Sequence, residues 1–280
     1  MNPGIFHYSK SNNFKVRQIN KAKQYDVLEV TFQSSQPTGI DVCDKVSGFY
    51  YRVPDARRAV IILHGLSMIS VTKFLCLHLA RNGFSSFLII MPYAPKRIPR
   101  KRPIRHLPQN QDWVEIFRRG LIQAVIDVRK TIDFLEKENE KIGILGISLG
   151  ASIANLVHSI DSRISSGIYV VGGGDLAGML WDSRDFMARI YKRKLLGSID
   201  KLTLMTRWKD IDPLTYARKL ENVLMINARY DTSVKPVYTL KLWKSVGKPE
   251  IYWLRCAHFF LSDIFFVKRL ILKHFRKTLS

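Results

Sequence analysis

One segment in the middle of the chain, Lys141–Val157 (KIGILGISLGASIANLV), leaves few folds open. Lys141–Ile147 reads as a buried strand, and Leu149–Ile160 carries apolar residues at helical spacing. Between them stands Ser148, with Gly146 and Gly150 two positions away on either side. A chain that passes from strand to helix over a single residue must turn very tightly. Side chains two positions before and after the turn would then collide, and glycine removes the collision. The helix starting at Leu149 also points the positive end of its dipole at the turn.

The rest of the sequence repeats this strand–helix alternation. Asp26–Gln33 and Ser47–Val53 read as strands linked closely enough to form an antiparallel edge. Ala59–Leu63 (AVIIL) and Phe84–Met91 are short, mostly β-branched or apolar runs, as expected of strands buried on both faces of a parallel sheet. Val71–Arg81 and Trp113–Lys137 have helical periodicity, the second with Leu121, Val125, Val128, Ile132 and Leu135 on one face. Pro92–Pro108, rich in proline and bases, is loop. Gly167–Val171, Asn222–Asn227 and Ile251–Leu254 are further strands, and Phe266–Thr278 is a basic amphipathic helix. The alternation predicts an α/β fold with a mainly parallel sheet. The 280 residues hold no linker that would divide them, so one domain is expected. Residues 1–24 read as an arm or loosely packed start, and 176–220 as a helical insertion over one end of the sheet.

Composition narrows the function classes. Apolar residues make up 46% and charged residues 24%, a globular balance. Cys43, Cys76 and Cys256 are too scattered for a disulfide scaffold or zinc module and suggest a reducing compartment. No His/Cys/Asp cluster has metal-ligand spacing, and no phosphate-cradling glycine loop is present, so no metal or cofactor is expected. The start MNPGIFHYSKSNN lacks the pattern of a secretory signal, and no apolar stretch reaches the ~18 residues of a membrane span. A cytoplasmic protein is expected. Forty-five Lys and Arg against 23 Asp and Glu give +22, which raises nucleic acid, anionic membranes and acidic substrates as partners. No recognised nucleic-acid module accompanies the charge, so no specific nucleic-acid binding is expected.

A serine hydroxyl is a weak nucleophile and needs a base, which in turn needs an orienting acid. Behind a G-x-S-x-G elbow these partners follow in the order serine, acid, histidine. Asp231 (in NARYDTSV) follows the strand Asn222–Asn227, and His258 (in RCAHFF) follows Ile251–Leu254. Asp175, after the Gly172–Gly174 turn, is the rival acid. Both acids and His258 lie at strand C-termini, where ligands collect in open α/β sheets.

With His64-Gly65 after the third strand, the elbow at Ser148, Asp231 after a strand and His258 near the end, the sequence resembles the α/β-hydrolase superfamily. The likeness is to its esterase, lipase and dienelactone-hydrolase branches and runs from Asp26 onward. It implies a mainly parallel, eight-stranded-type sheet flanked by helices, with residues 176–220 as a lid. It implies Ser148 as nucleophile, His258 as general base and then acid, and Asp231 as the residue that orients it. The backbone N–H groups of Leu66 and Leu149 would form the oxyanion hole, each donor worth ~3 kcal/mol of transition-state stabilisation. The expected reaction is hydrolysis of a carboxylic ester, with thioesters or lipids as variants. Acyl transfer or peptide hydrolysis would use the same triad, and a binding protein would use the fold without catalysis.

The bases cluster in Lys96–Arg105 (Lys96, Arg97, Arg100, Lys101, Arg102, Arg105) and in the last helix (Lys268, Arg269, Lys273, Arg276, Lys277). The plainer reading of both is a solvated face. The functional one is a surface that draws an anionic substrate or touches an anionic membrane from the periphery.

Overall fold

In a computed structural model the buried apolar runs lie side by side. It describes residues 4–10, 12–65, 68–94, 97, 112–185, 188–189, 192–193, 199–258 and 264–280. The strands are β1 (Lys15–Lys21), β2 (Asp26–Gln33), β3 (Lys45–Arg52), β4 (Arg58–Leu63), β5 (Ser85–Ile89), β6 (Lys141–Ile147), β7 (Ile164–Val170), β8 (Val223–Ala228) and β9 (Glu250–Leu254). They form a nine-stranded sheet in the order β1-β2-β3-β5-β4-β6-β7-β8-β9. From β5 across to β9 every pair is parallel. At the other edge β1, β2 and β3 are antiparallel, and β3 joins β5 antiparallel.

Helices cover both faces. After the one-turn α1 (Asp41–Asp44), α2 (Ile69–Ala80) lies on one face with the last helix. On the other lie α3 (Trp113–Leu135) and α4 (Leu149–Ile160). The described parts of the 176–220 stretch include α5 (Leu176–Asp182), α6 (Lys201–Arg207), a 3-10 turn and α7 (Pro213–Tyr216). α8 (Pro236–Ser245) and α9 (Ile264–Thr278) complete the chain. The sheet's alternation splits the core in two. Ile61, Leu63, Phe87 and Ile144 pack with α3, α4 and α8, while Val60, Ile62, Leu88 and Leu145 pack with α2 and α9. In β4, Ala59 to Leu63 are all 0% exposed, which is why the strand shows no alternation of polar and apolar residues. Among the described residues no helix is long and apolar enough to cross a membrane.

One expectation is corrected. The first 24 residues are not a loose start. Phe6 is fully buried against the Tyr216 ring, the Tyr8 hydroxyl donates to Asp133, and β1 pairs with β2 along its length. Every residue of β1 is exposed, so its sequence KVRQINK carries no burial pattern and only backbone pairing defines it. It adds a ninth strand to the eight-stranded expectation. The helix α8 also carried no sequence signal strong enough to predict it, although Pro236 opens it at a position that suits proline.

Candidate active site

The strand order turns back on itself at β4. The chain runs from β4 to β5 on one side, then crosses to β6 on the other, which makes a topological switch point. Leu63 pairs with Gly146, so the turns leaving β4 and β6 start side by side. Ser148 occupies the second of these turns with φ 57° and ψ −123°, a conformation that side-chain-bearing residues rarely adopt. Such a conformation costs on the order of 1–3 kcal/mol and persists only where the surroundings enforce it.

The surroundings do enforce it. Ser148 N donates to Val170 O at 2.9 Å, and its carbonyl accepts from Ala151 N at 2.8 Å. A Cβ on Gly146 would lie 2.1 Å from the Gly150 carbonyl oxygen. One on Gly150 would lie 2.6 Å from Leu63 O and 2.7 Å from His64 O. Both glycines are therefore required by backbone contact. Leu149 is the first residue of α4, so its N–H has no acceptor within the helix. Leu66 lies outside the described residues.

Asp231 and His258 arrive on neighbouring strands. β8 and β9 are parallel, with Ala228 opposite Leu254, and their pairing continues past both strand ends. Arg229 N donates to Leu254 O at 2.9 Å and Tyr230 N to Cys256 O at 3.1 Å. This extension carries the two loops together. His258 Nδ1 lies 2.7 Å from Asp231 Oδ2, and His258 Nε2 lies 2.9 Å from Ser148 Oγ. The other Asp231 oxygen accepts from Ser233 N at 2.9 Å and Val234 N at 2.7 Å. A carboxylate only accepts, so the proton sits on Nδ1 and the Nε2 lone pair faces the serine hydroxyl. Asp231 and His258 are 5% and 4% exposed, which shields their mutual attraction from water.

Asp175, the rival acid, is held elsewhere. It caps α5 by accepting from Gly178 N at 2.9 Å and pairs with the Lys241 ammonium. Asp212 accepts from Leu214 N, Leu176 N and Asp175 N, tying the start of α7 to that of α5.

Two residues play parts that sequence reasoning did not assign. The buried His64 accepts from Met91 N at Nε2 (3.1 Å), so its Nδ1 carries the proton and donates to Gly65 O at 2.6 Å. Burial holds its pKa below the usual histidine range, so it stays neutral. The ring thus fastens the turn after β4 to the end of β5.

Arg97 corrects the solvated-loop expectation. It is 0% exposed, donates to Cys43 O at 2.9 Å and Ile90 O at 2.8 Å, and pairs with fully buried Asp127 at 2.9 Å. Asp127 takes a further hydrogen bond of 2.6 Å from Ser34 Oγ. Its sequence signal was an acid amid the apolar residues of α3. Lys96, Arg100, Lys101, Arg102 and Arg105 lie outside the described residues.

The chain has the α/β-hydrolase fold. It resembles acetyl xylan esterase 1 from Thermoanaerobacterium sp. JW/SL YS485 with a TM-score of 0.73 at 14% identity, over 95% of this chain and 89% of that one. The Pyrococcus furiosus esterase Pf2001 matches with a TM-score of 0.61 at 15% identity, over 98% and 99%. The Pyrococcus horikoshii acylaminoacyl peptidase matches with a TM-score of 0.69 at 16% identity, over 92% of this chain and 42% of that one. No family model matches the sequence. Two curated relatives, the uncharacterized proteins MT2702 and Rv2627c of Mycobacterium tuberculosis, are 27% identical over 218 residues. That match covers 74% of this chain, which spans about half the length of each relative (51%).

Proposed function

We propose that this protein is a serine hydrolase of carboxylic esters. The observation that carries the proposal is the relay from Ser148 Oγ through His258 to Asp231, at 2.9 Å and 2.7 Å, on a strained turn at the sheet's switch point. His258 Nε2 takes the hydroxyl proton as Ser148 Oγ bonds to the acyl carbon. Asp231 holds the ring in the tautomer that accepts this proton and stabilises the imidazolium that results. His258 then hands the proton to the departing alkoxide, leaving the acyl group on Ser148. Water, deprotonated by the same nitrogen, attacks the acyl carbon, and Ser148 recovers its proton.

The negative oxygen formed on each attack would be held by the Leu149 N–H at the positive end of α4, with the Leu66 N–H as second donor. Two structural relatives are named as esterases, in keeping with this chemistry. α5 starts just past β7, the strand beside β6, with Met179 buried and Leu180 and Trp181 half-buried. These residues suit an apolar acyl group, with 176–220 as a lid.

A fluorophosphonate probe should label the wild type and spare Ser148→Ala. A panel of p-nitrophenyl esters of increasing acyl length should be turned over by the wild type alone. A folded wild type that takes no label refutes the assignment.

A further inference from the structure

One face of the sheet gathers bases with no acid among them. On the α3 and α4 side the arginines are paired: Arg118 with Glu115 and Asp210, Arg129 with Asp161, and Arg163 with Asp133, Glu136 and Asp161. On the opposite side α2 and α9 lie together and contain no acidic residue at all. They carry Lys73, Lys268, Arg269, Lys273, Arg276 and Lys277, and none of these six has an ion-pair partner among the described residues.

The same face exposes aromatic rings. Phe265 and Phe266, in the first turn of α9, are 65% and 43% exposed, and Phe74 on α2 is 38% exposed. The Lys268 ammonium lies 4.7 Å from the Phe265 ring centre and 5.6 Å from that of Phe74, so one cation bridges both helices. Phe265, Arg269, Lys273 and Arg276 recur every three or four residues and share one stripe of α9. Phe265 and Phe266 open α9, the element after His258, and so stand toward the site end of the face, with Phe74 midway along α2.

We propose that this face docks on an anionic lipid bilayer, with Phe74, Phe265 and Phe266 entering the headgroup region and the six bases held against the lipid phosphates. Charge alone would serve any polyanion. What favours a bilayer is the phenylalanines: they gain by leaving water for the acyl boundary, whereas the Lys268 ammonium already lies over the Phe265 and Phe74 rings on which a nucleic-acid base would have to stack. Lysine can extend its stem along such rings while its ammonium reaches the headgroups. Docked this way, the molecule presents the Ser148 end of the sheet close to the lipid. The surface stands whether or not Ser148 is a nucleophile, because binding is read without turnover.

The test is co-sedimentation of the full chain with vesicles of phosphatidylcholine alone, or with about 30 mol % phosphatidylglycerol, at about 0.1 M salt. The wild type and Ser148→Ala should pellet together with the anionic vesicles and remain in solution with the neutral ones. The variant Phe265→Ser/Phe266→Ser should partition about tenfold less, and Lys73→Gln/Lys268→Gln/Arg269→Gln/Lys273→Gln at least about 30-fold less. The control Lys15→Gln/Lys21→Gln/Lys23→Gln/Lys244→Gln removes as many exposed charges elsewhere and should bind as the wild type. A control that loses as much as the α2–α9 variant overturns the proposal, because bulk charge then explains binding. It is also overturned if the phenylalanine variant binds unchanged while a single-stranded oligonucleotide displaces the vesicles, since the face then binds nucleic acid.

Discussion

Ser148 keeps its positive φ because glycines on both sides let backbones touch, and this makes the elbow intolerant of a single methyl. In Gly150→Ala the new Cβ would press on two carbonyl oxygens of the β4 turn that are fixed by the sheet. We expect a destabilisation of about 2 kcal/mol or more, read as a Tm lower by several degrees. Asp231→Asn keeps the shape but withdraws the charge that fixes the His258 tautomer. It should lower kcat by about four orders of magnitude and leave KM nearly unchanged. A separate residue contributes to the loss of stability in acid. His158 is buried beside the Tyr169 hydroxyl (2.9 Å), and burial, aided by Arg218, pulls its pKa down to about 4. The folded state therefore holds this proton less tightly than the unfolded chain, whose histidine titrates near 6.5. The stability this contributes is full above about 6.5 and is lost as pH falls toward about 4, up to about 3 kcal/mol in all. Urea melts at pH 7 and about 4.5 should show a smaller drop for His158→Gln than for the wild type. Ser148, Asp231 and His258 were legible in the sequence because each follows a strand. The choice between Asp231 and Asp175 was harder, since both follow strands, and it turns on the β8–β9 pairing that continues beyond the strand ends.

At the level of elements, what the sequence conveyed depended on whether an element buries a patterned face. β4, β5 and β6 were plain as apolar runs. β1 was not, because both its faces meet solvent and its stabilising hydrogen bonds leave no mark on side-chain choice. The Arg97–Asp127 pair was hidden for a related reason: its partners are thirty residues apart and on different elements. It ties the chain after β5 to α3 and, through Cys43 O, to α1. Asp127→Ala would leave a guanidinium buried with only carbonyl partners and should cost about 3–5 kcal/mol. Arg97→Met/Asp127→Leu removes both charges and should recover much of that loss, which chemical denaturation of the wild type and the two variants will measure.

For the whole molecule, a net charge of +22, with six bases, unpaired among the described residues, side by side on α2 and α9, means that like charges repel. Screening should relieve this, so the Tm should rise as salt goes from about 0.02 to 0.3 M, before any contact changes. Calorimetry across that range checks it, and a flat or falling Tm would mean that paired charges dominate. The topology also sets a timetable. Ser148 and His258 are 110 positions apart, with His258 in the loop after the strand that closes the sheet. At about 5–20 residues per second of synthesis, Ser148 is made roughly 5–20 s before His258. A nascent chain thus carries Ser148 without its histidine partner, and the two side chains meet only when the last strand joins.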